Sequence, residues 1–400
     1  MPGRTAERIG HMDRNRADAS GRGLPWASGD YELLRSQIRR FVEEEVKPSA
    51  DRWEADGFVP RATLRRMGDL GFFGIRYPSR YGGVDMDAVG SVVFAEELGR
   101  STYGGLAIAT LVHTDMASVH VFHDGTEDQR SRWMPGIITG EVITAIAVTE
   151  PDAGSDVKAI RTRARRDGDD YILNGTKLYI TNGVHADLYC VAAKTDPSAG
   201  THGITMFLVE KGNPGLRVAR ALDKHGWRCS DTAELVFDEC RVPAADVLGF
   251  EGQGFYSIMR NFQNERLVLA AMALGAAQAA IETTLSWTRT RRAFGGSLWD
   301  MQAIRQRMAM LAARVEAARQ FVYATAWRMA ADEDCIREVS MAKAICGELV
   351  NEVMYACVQF HGAMGFMRES SIERMARDAR VLSIGGGATE VMLEVIASMS

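Results

Sequence analysis

From Asp30 onward, apolar residues recur at helical spacing: Leu34, Ile38, Phe41, Val42 and Val46 share one stripe, with Asp30 as N-cap and Pro48 as the stop. PRATLRRMGDLG, which opens at Pro60, then DAVGSVVFAEELGR and a small-residue run from Gly104 to His120 extend the helical pattern through residue 142. The period then changes to two. VITAIAVTE is a buried-strand run, and DYILNGTKLYITNG sets Asn174-Gly175 and Asn182-Gly183 between β-formers, which predicts a hairpin. DLYCVAAKT, GITMFLVEKG and TAELVFDECRV carry strands to about Leu248, so 143–248 is predicted to be a small antiparallel β-domain. After GFEGQGF the helical period returns over 251–290, 299–332, 334–363 and 368–380, lengths that suit an antiparallel four-helix bundle within 249–400. The predicted class is α+β: a helical domain over 29–142, the β-domain, then the bundle, with no βαβ alternation and no internal repeat.

Residues 1–28 are polar and without period, and are predicted to form a flexible arm. The first thirty residues lack an apolar secretory core, and Glu7, Asp13 and Asp18 argue against an organelle address. No uninterrupted apolar run approaches the length of a membrane span, so the expected location is the cytoplasm, away from membranes. A net charge of -5 gives no broad attraction for nucleic acid. Cys190, Cys229, Cys240, Cys335, Cys346 and Cys357 form no CxxC pair, which reads as buried structural thiols in a reducing compartment.

Three features carry candidate chemistry. The triplet Gly385–Gly387 lacks the preceding strand, glycine spacing and Lys-Ser/Thr of a phosphate loop, and reads as a turn, although a turn does not need three glycines. His113, His120 and His123 with Asp115 have no second carboxylate at ligand spacing, so they are assigned to a packed or surface role and no metal is expected. AVTEPDAGSDV (147–157) leaves a strand through Pro151 and Gly154 into a loop rich in main-chain N–H groups, a cradle for an anion or polar heterocycle, or a plain loop. In KLYITNG, Tyr179 and Thr181 share one strand face, where a ring and a hydroxyl could meet a flat ligand.

AVTEPDAGSDV, LNGTKLYITNG, RTRRAFG (289–295), VQFHGAMGF (358–366) and IGGGATEVM (384–392) together resemble the acyl-CoA dehydrogenase family, in order and from about residue 30 to the end. The resemblance implies a homotetramer binding FAD where the β-domain meets the bundle. It implies that Ala147, Val148 and Thr149 edge the flavin, that Ser155 lies near the pyrophosphate, and that Tyr179, Ile180 and Thr181 run along the isoalloxazine. From a neighbouring subunit it brings Arg291, Phe294, Gln302 and the segment Gln359 to Ala363, including Gly362, to the FAD. Ala388, Thr389 and Glu390 match the stretch closing over the cofactor, and Ser155 and Arg266 match substrate-binding positions. Ala363 and Ala388 depart from a common glycine and a common threonine.

The family's reaction removes an α-proton to a carboxylate while the β-hydrogen leaves as hydride to flavin N5. Many members place that carboxylate at the position matching Gly386. A subset resembling long-chain and isovaleryl-CoA dehydrogenases places it on the first long helix of the bundle, where MRNFQNERLVLA offers Glu265. The glycine triplet then reads as a site whose carboxylate comes from elsewhere, with the Gly386 N–H retained as an oxyanion donor. The expected function is dehydrogenation of an acyl thioester, with electrons passed to an electron-transferring flavoprotein. Alternatives are a flavin oxygenase or N-hydroxylase on the same fold, and a helical binding protein without chemistry.

Overall fold

The computed structural model describes Leu24, Trp26, Ala27 and residues 29–400, so the arm expected over 1–28 lies almost wholly outside the described residues. The first domain holds α1 (Gly29–Phe41), α2 (Ala50–Asp56), α3 (Arg61–Asp69), α4 (Ala88–Gly99), α5 (Gly104–Leu111), α6 (Ser118–Asp124) and α7 (Glu127–Thr139). Helix α4 is buried along its whole length, which is why its sequence shows no polar face; the Asp87 carboxylate caps it by accepting from the N–H groups of Val89 and Gly90. Between α5 and α6 the backbone widens into a π-helical turn, Val112–Ala117, a local irregularity that often accompanies a functional site.

The middle domain comprises β1 (Thr144–Ala147), β2 (Arg163–Asp167), β3 (Asp170–Thr181), β4 (Leu188–Lys194), β5 (Ile204–Glu210), β6 (Leu216–Ala221), β7 (Thr232–Pro243) and β8 (Val247–Leu248). They run β6-β7-β3-β2-β4-β5-β8, with β1 beside β4. Most pairs are antiparallel, while β4 runs parallel to both β1 and β2. The tight hairpin connects β2 to β3 at Asp167–Asp170, and Asn174-Gly175 makes no turn at all. Both halves of β3 pair with β7, with a register shift at this dipeptide, and a Cβ on Gly175 would fall 2.4 Å from the Thr162 hydroxyl. The Asn-Gly pair therefore marks a bulge under close backbone approach, because cross-strand pairing outweighs the local turn preference.

The chain closes with α8 (Gly254–Thr290), the short ribbon β9 (Arg292–Ala293) and β10 (Gly296–Ser297), α9 (Gln302–Ala330), α10 (Ile336–His361), α11 (Ser371–Ala379) and α12 (Thr389–Ser398). Two helical stretches, 104–124 and 254–290, are long and apolar enough by composition to cross a bilayer, although neither is an uninterrupted apolar run; their most apolar windows are 94% and 78% buried inside the protein. They are core helices. One apolar core joins α1, α4, α5 and the bundle, a second lies between α6, α7 and the sheet, and a third covers the sheet's other face. Glu96 and Glu97 on α4 tie α1 to α9: Arg39 Nε donates to Glu97 at 2.7 Å, and Arg319 Nε and Tyr323 Oη donate to Glu96 at 2.7 and 2.6 Å. With these carboxylates paired, the otherwise costly burial of charge fixes the bundle against the first domain.

Candidate active site

A cavity of about 1020 Å³ opens where the three domains meet. Its sheet wall comes from the chain just after β1 and the C-terminal end of β3. The Leu178 N–H donates to Thr149 O at 2.9 Å, and Lys177 Nζ donates to Val148 O at 2.9 Å and Glu150 Oε1 at 2.7 Å. Burial lowers the Lys177 ammonium to about 8 against the pull of Glu150. Glu150 in turn sits below the usual carboxylate range: burial opposes this, but Lys177 and the bonds from Thr162 and Arg161 outweigh it. The pair is ionised at neutral pH and clamps the strand exit carrying Val148 and Thr149. A register shift between Lys177 and Ile180 puts Tyr179 at φ +61°, a strained conformation for an aromatic residue, and leaves its side chain 66% exposed at the cavity.

The opposite wall is α8. Phe262, Glu265, Arg266 and Leu269 all line the cavity. Glu265 is only 7% exposed, and its Oε1 accepts a 2.9 Å bond from Asn261 Nδ2. Burial pushes this carboxyl up to about 8; Asp115 adds to the rise, while Asn261 and Arg266 oppose it. A carboxyl of that affinity exchanges a proton near neutral pH. Arg266 lies with its guanidinium 5.3 Å from the centre of the Phe262 ring, and burial weakens its hold on its proton against the pull of Glu265.

The glycine loop forms the third wall. Gly386 has φ +64°, and a Cβ there would fall 2.2 Å from Leu269 Cδ1. Leu269 lies one turn beyond Glu265, so the helix that supplies the carboxyl also fills the space a side chain at 386 would need. Buried Lys343 clamps the loop from behind, donating to Leu382 O at 2.7 Å and Gly387 O at 3.0 Å. The floor, Ile108, Val112 and Met116, is apolar and comes from α5 and the π-helical turn.

The structure gathers Val148, Thr149, Ser155, Tyr179, Ile180, Thr181, Glu265, Arg266, Gly386 and Ala388 around this one cavity. Ala147 faces the other way, buried in the core on the sheet's far side, because neighbouring strand residues alternate faces. Thr389 and Glu390 do not reach the cavity: the Thr389 hydroxyl donates to Glu348 at 2.8 Å, and Glu390 is exposed at the start of α12. Arg291, Phe294, Gln302, Gln359, Gly362 and Ala363 are exposed and lie apart from their own chain's cavity. Arg291 nonetheless lies beside the 359–363 segment. Trp287 stacks on His361 with centroids 5.0 Å apart, donates to Phe360 O at 3.1 Å, and carries Arg291 at 5.7 Å over its ring. Sequence reasoning named Leu269 as apolar context for Glu265 but missed Asn261, Lys224 and Trp227, which lack a motif; the i, i+4 spacing of Asn261 to Glu265 was the available signal.

Of the three histidines, His113 and His120 have internal roles, while His123 is exposed. His113 bonds Thr144 Oγ1 and Ile137 O, both at 3.0 Å, with burial holding it down at about 4, and His120 meets Ser257 Oγ at 2.8 Å. All six cysteines are buried and free.

The sheet wall suits a flat heterocycle: Val148 and Ile180 offer apolar contact, Thr149, Ser155 and Thr181 offer hydroxyls, and a Cβ on Gly154 would meet nothing within 4 Å, leaving room for close approach. Two helical domains around a β-domain, with this slot facing a buried proton-holding carboxyl, suit an enzyme that holds a flat cofactor beside a proton acceptor. Family models for the acyl-CoA dehydrogenase N-terminal, middle and C-terminal domains match residues 28–141, 145–240 and 252–400. The chain is 38% identical over 372 residues to the long-chain specific acyl-CoA dehydrogenase, mitochondrial, of Rattus norvegicus, covering 92% of this chain and 86% of that protein. It is 36% identical over 375 residues to the isovaleryl-CoA dehydrogenase, mitochondrial, of Pongo abelii, covering 92% and 88%. The crystal structure of acyl-CoA dehydrogenase from Geobacillus kaustophilus superposes with a TM-score of 0.90 at 40% identity, covering 94% of this chain and 99% of that one. The chain belongs to the acyl-CoA dehydrogenase family, FAD-dependent oxidoreductases acting on acyl-CoA. Membership sets aside the reading as a binding protein without chemistry.

Proposed function

We propose that this chain dehydrogenates an acyl thioester between its α and β carbons, with Glu265 as the base that takes the α-proton. The observation carrying this reading is a buried carboxyl on the cavity wall, raised to about 8, near a glycine position that Leu269 has closed to any side chain. Such a group binds a proton well enough to remove it from a carbon acid activated by its thioester, and releases it near neutral pH. The Gly386 N–H is the donor for the thioester carbonyl as enolate charge develops, a role worth about 2.7–4 kcal/mol per donor. Ile108, Val112 and Met116 exclude water from the acyl end. Val148, Thr149, Ser155 and Tyr179 to Thr181 would hold FAD, which supplies the acceptor for the β-hydride when bound. The shared outer surface of Arg291 and the 359–363 segment supports a second copy completing that site, and an electron-transferring flavoprotein is the proposed acceptor. Glu265→Gln tests the assignment. In stopped-flow reduction by the best of butanoyl-, 3-methylbutanoyl- and hexadecanoyl-CoA, the flavin-loaded variant is expected to bleach about 10²–10⁴-fold more slowly. Near-normal bleaching would contradict it.

A further inference from the structure

We propose that Asn261 is a positioning residue for the base: its amide locks Glu265 in one orientation, with Oε1 tied back to the protein and Oε2 left for the substrate. The inference rests on the reading of Glu265 as base. Asn261 and Glu265 are one turn apart on α8, and the side chain of Asn261 is nearly buried. Its Nδ2 gives one hydrogen to Glu265 Oε1 at 2.9 Å and turns the other toward Asp115 O and Met116 O, at 3.3 and 3.2 Å. Every neighbour of that nitrogen is an acceptor, so only one orientation of the amide satisfies them.

The two carbonyls belong to the π-helical turn whose Met116 floors the cavity. Asn264 fastens the same turn, donating to Asp115 O at 2.9 Å. Among the described residues no hydrogen bond reaches Glu265 Oε2, so one oxygen is anchored and the other is free. A neutral amide suits this task. A cation there would hold Glu265 permanently ionised and weaken it as a base, while an apolar residue would leave the carboxyl free to rotate. The charges facing the pair are Arg266 on α8 itself and Asp115 on the turn, which accepts from the Thr114 hydroxyl at 2.6 Å and has Arg76 at 3.6 Å; Lys343 of α10 lies behind Arg266.

The test uses the flavin-loaded protein with 3-thiaoctanoyl-CoA, whose sulfur at the β position leaves no hydride to transfer, so deuterium wash-in at the α-carbon in D₂O reports the base alone. Asn261→Leu is expected to slow wash-in about tenfold to a hundredfold. With hexanoyl-CoA the acid limb of kcat/KM is expected to move up by about one pH unit while KM changes less than about threefold. Asn261→Ala, which adds no bulk, carries the same expectation, and Asn261→Gln should recover part of the rate. Wild-type wash-in and an unmoved acid limb in the Leu and Ala variants, with Glu265→Gln inert, would overturn the role of Asn261 and leave the base in place. Wild-type wash-in by Glu265→Gln would overturn both.

Discussion

The proton held by Glu265 should be measurable in the protein's stability. A carboxyl with an ordinary value of 4.5 that rises to about 8 on folding binds its proton more tightly in the folded than in the unfolded chain. Its contribution is therefore fully present below about pH 4.5 and is lost as pH rises through about 8, the reverse of a salt-bridged carboxylate. The span corresponds to about 5 kcal/mol at most. Glu265→Gln keeps the shape and cannot ionise, so the unfolding free energy of wild type minus variant, from urea titrations at saturating FAD, isolates this carboxyl from every other titrating group. That difference is expected to fall by several kcal/mol between pH 5 and pH 9, most steeply from pH 5 to 8. A constant difference across the range would show that Glu265 ionises as an ordinary carboxylate, and would refute the account of why it is a competent base. The same protonation makes kcat/KM climb with pH toward about 8.

The closed position at 386 predicts that Gly386→Ala costs about 1–3 kcal/mol in thermal unfolding, since the new Cβ meets Leu269 at 2.2 Å and φ is +64°. Leu269→Ala should cost less in the Gly386→Ala background than in wild type, because there it relieves the clash as well as emptying the core. The buried clamp behind Val148 predicts that Lys177→Met lowers stability by about 3–5 kcal/mol by stranding the Glu150 charge, and that the protein purifies with a lower ratio of flavin to protein absorbance. The double variant Lys177→Met/Glu150→Gln should be the more stable of the two.

Long periodic segments were legible in one dimension because burial imposes a period of its own: the 37-residue α8 and the strands β4 and β5 sit where the apolar pattern puts them. The Asn174-Gly175 turn failed for a reason of the same kind in reverse. A local preference of the dipeptide competed with β7, a partner more than fifty residues away in sequence, and lost. For the site, sequence motifs named most of the cavity lining, whereas Ala147 was misplaced by one position of strand alternation, and Thr389 was drawn off by a contact with Glu348.

The sequence by itself determined the order of the domains, the resemblance that carries the family, the absence of a carboxyl at 386 and the presence of one at 265. Only the tertiary structure decided that the two positions face one cavity, that Leu269 occupies the room left at Gly386, and that Asn261 ties Glu265 to the π-helical turn. The physical reason is that a residue's identity fixes which protons it can exchange, while its burial and its partners fix at what pH and in which direction. Those are properties of neighbours brought together from α5, β3, α8 and the C-terminal loop, and no stretch of chain carries them alone.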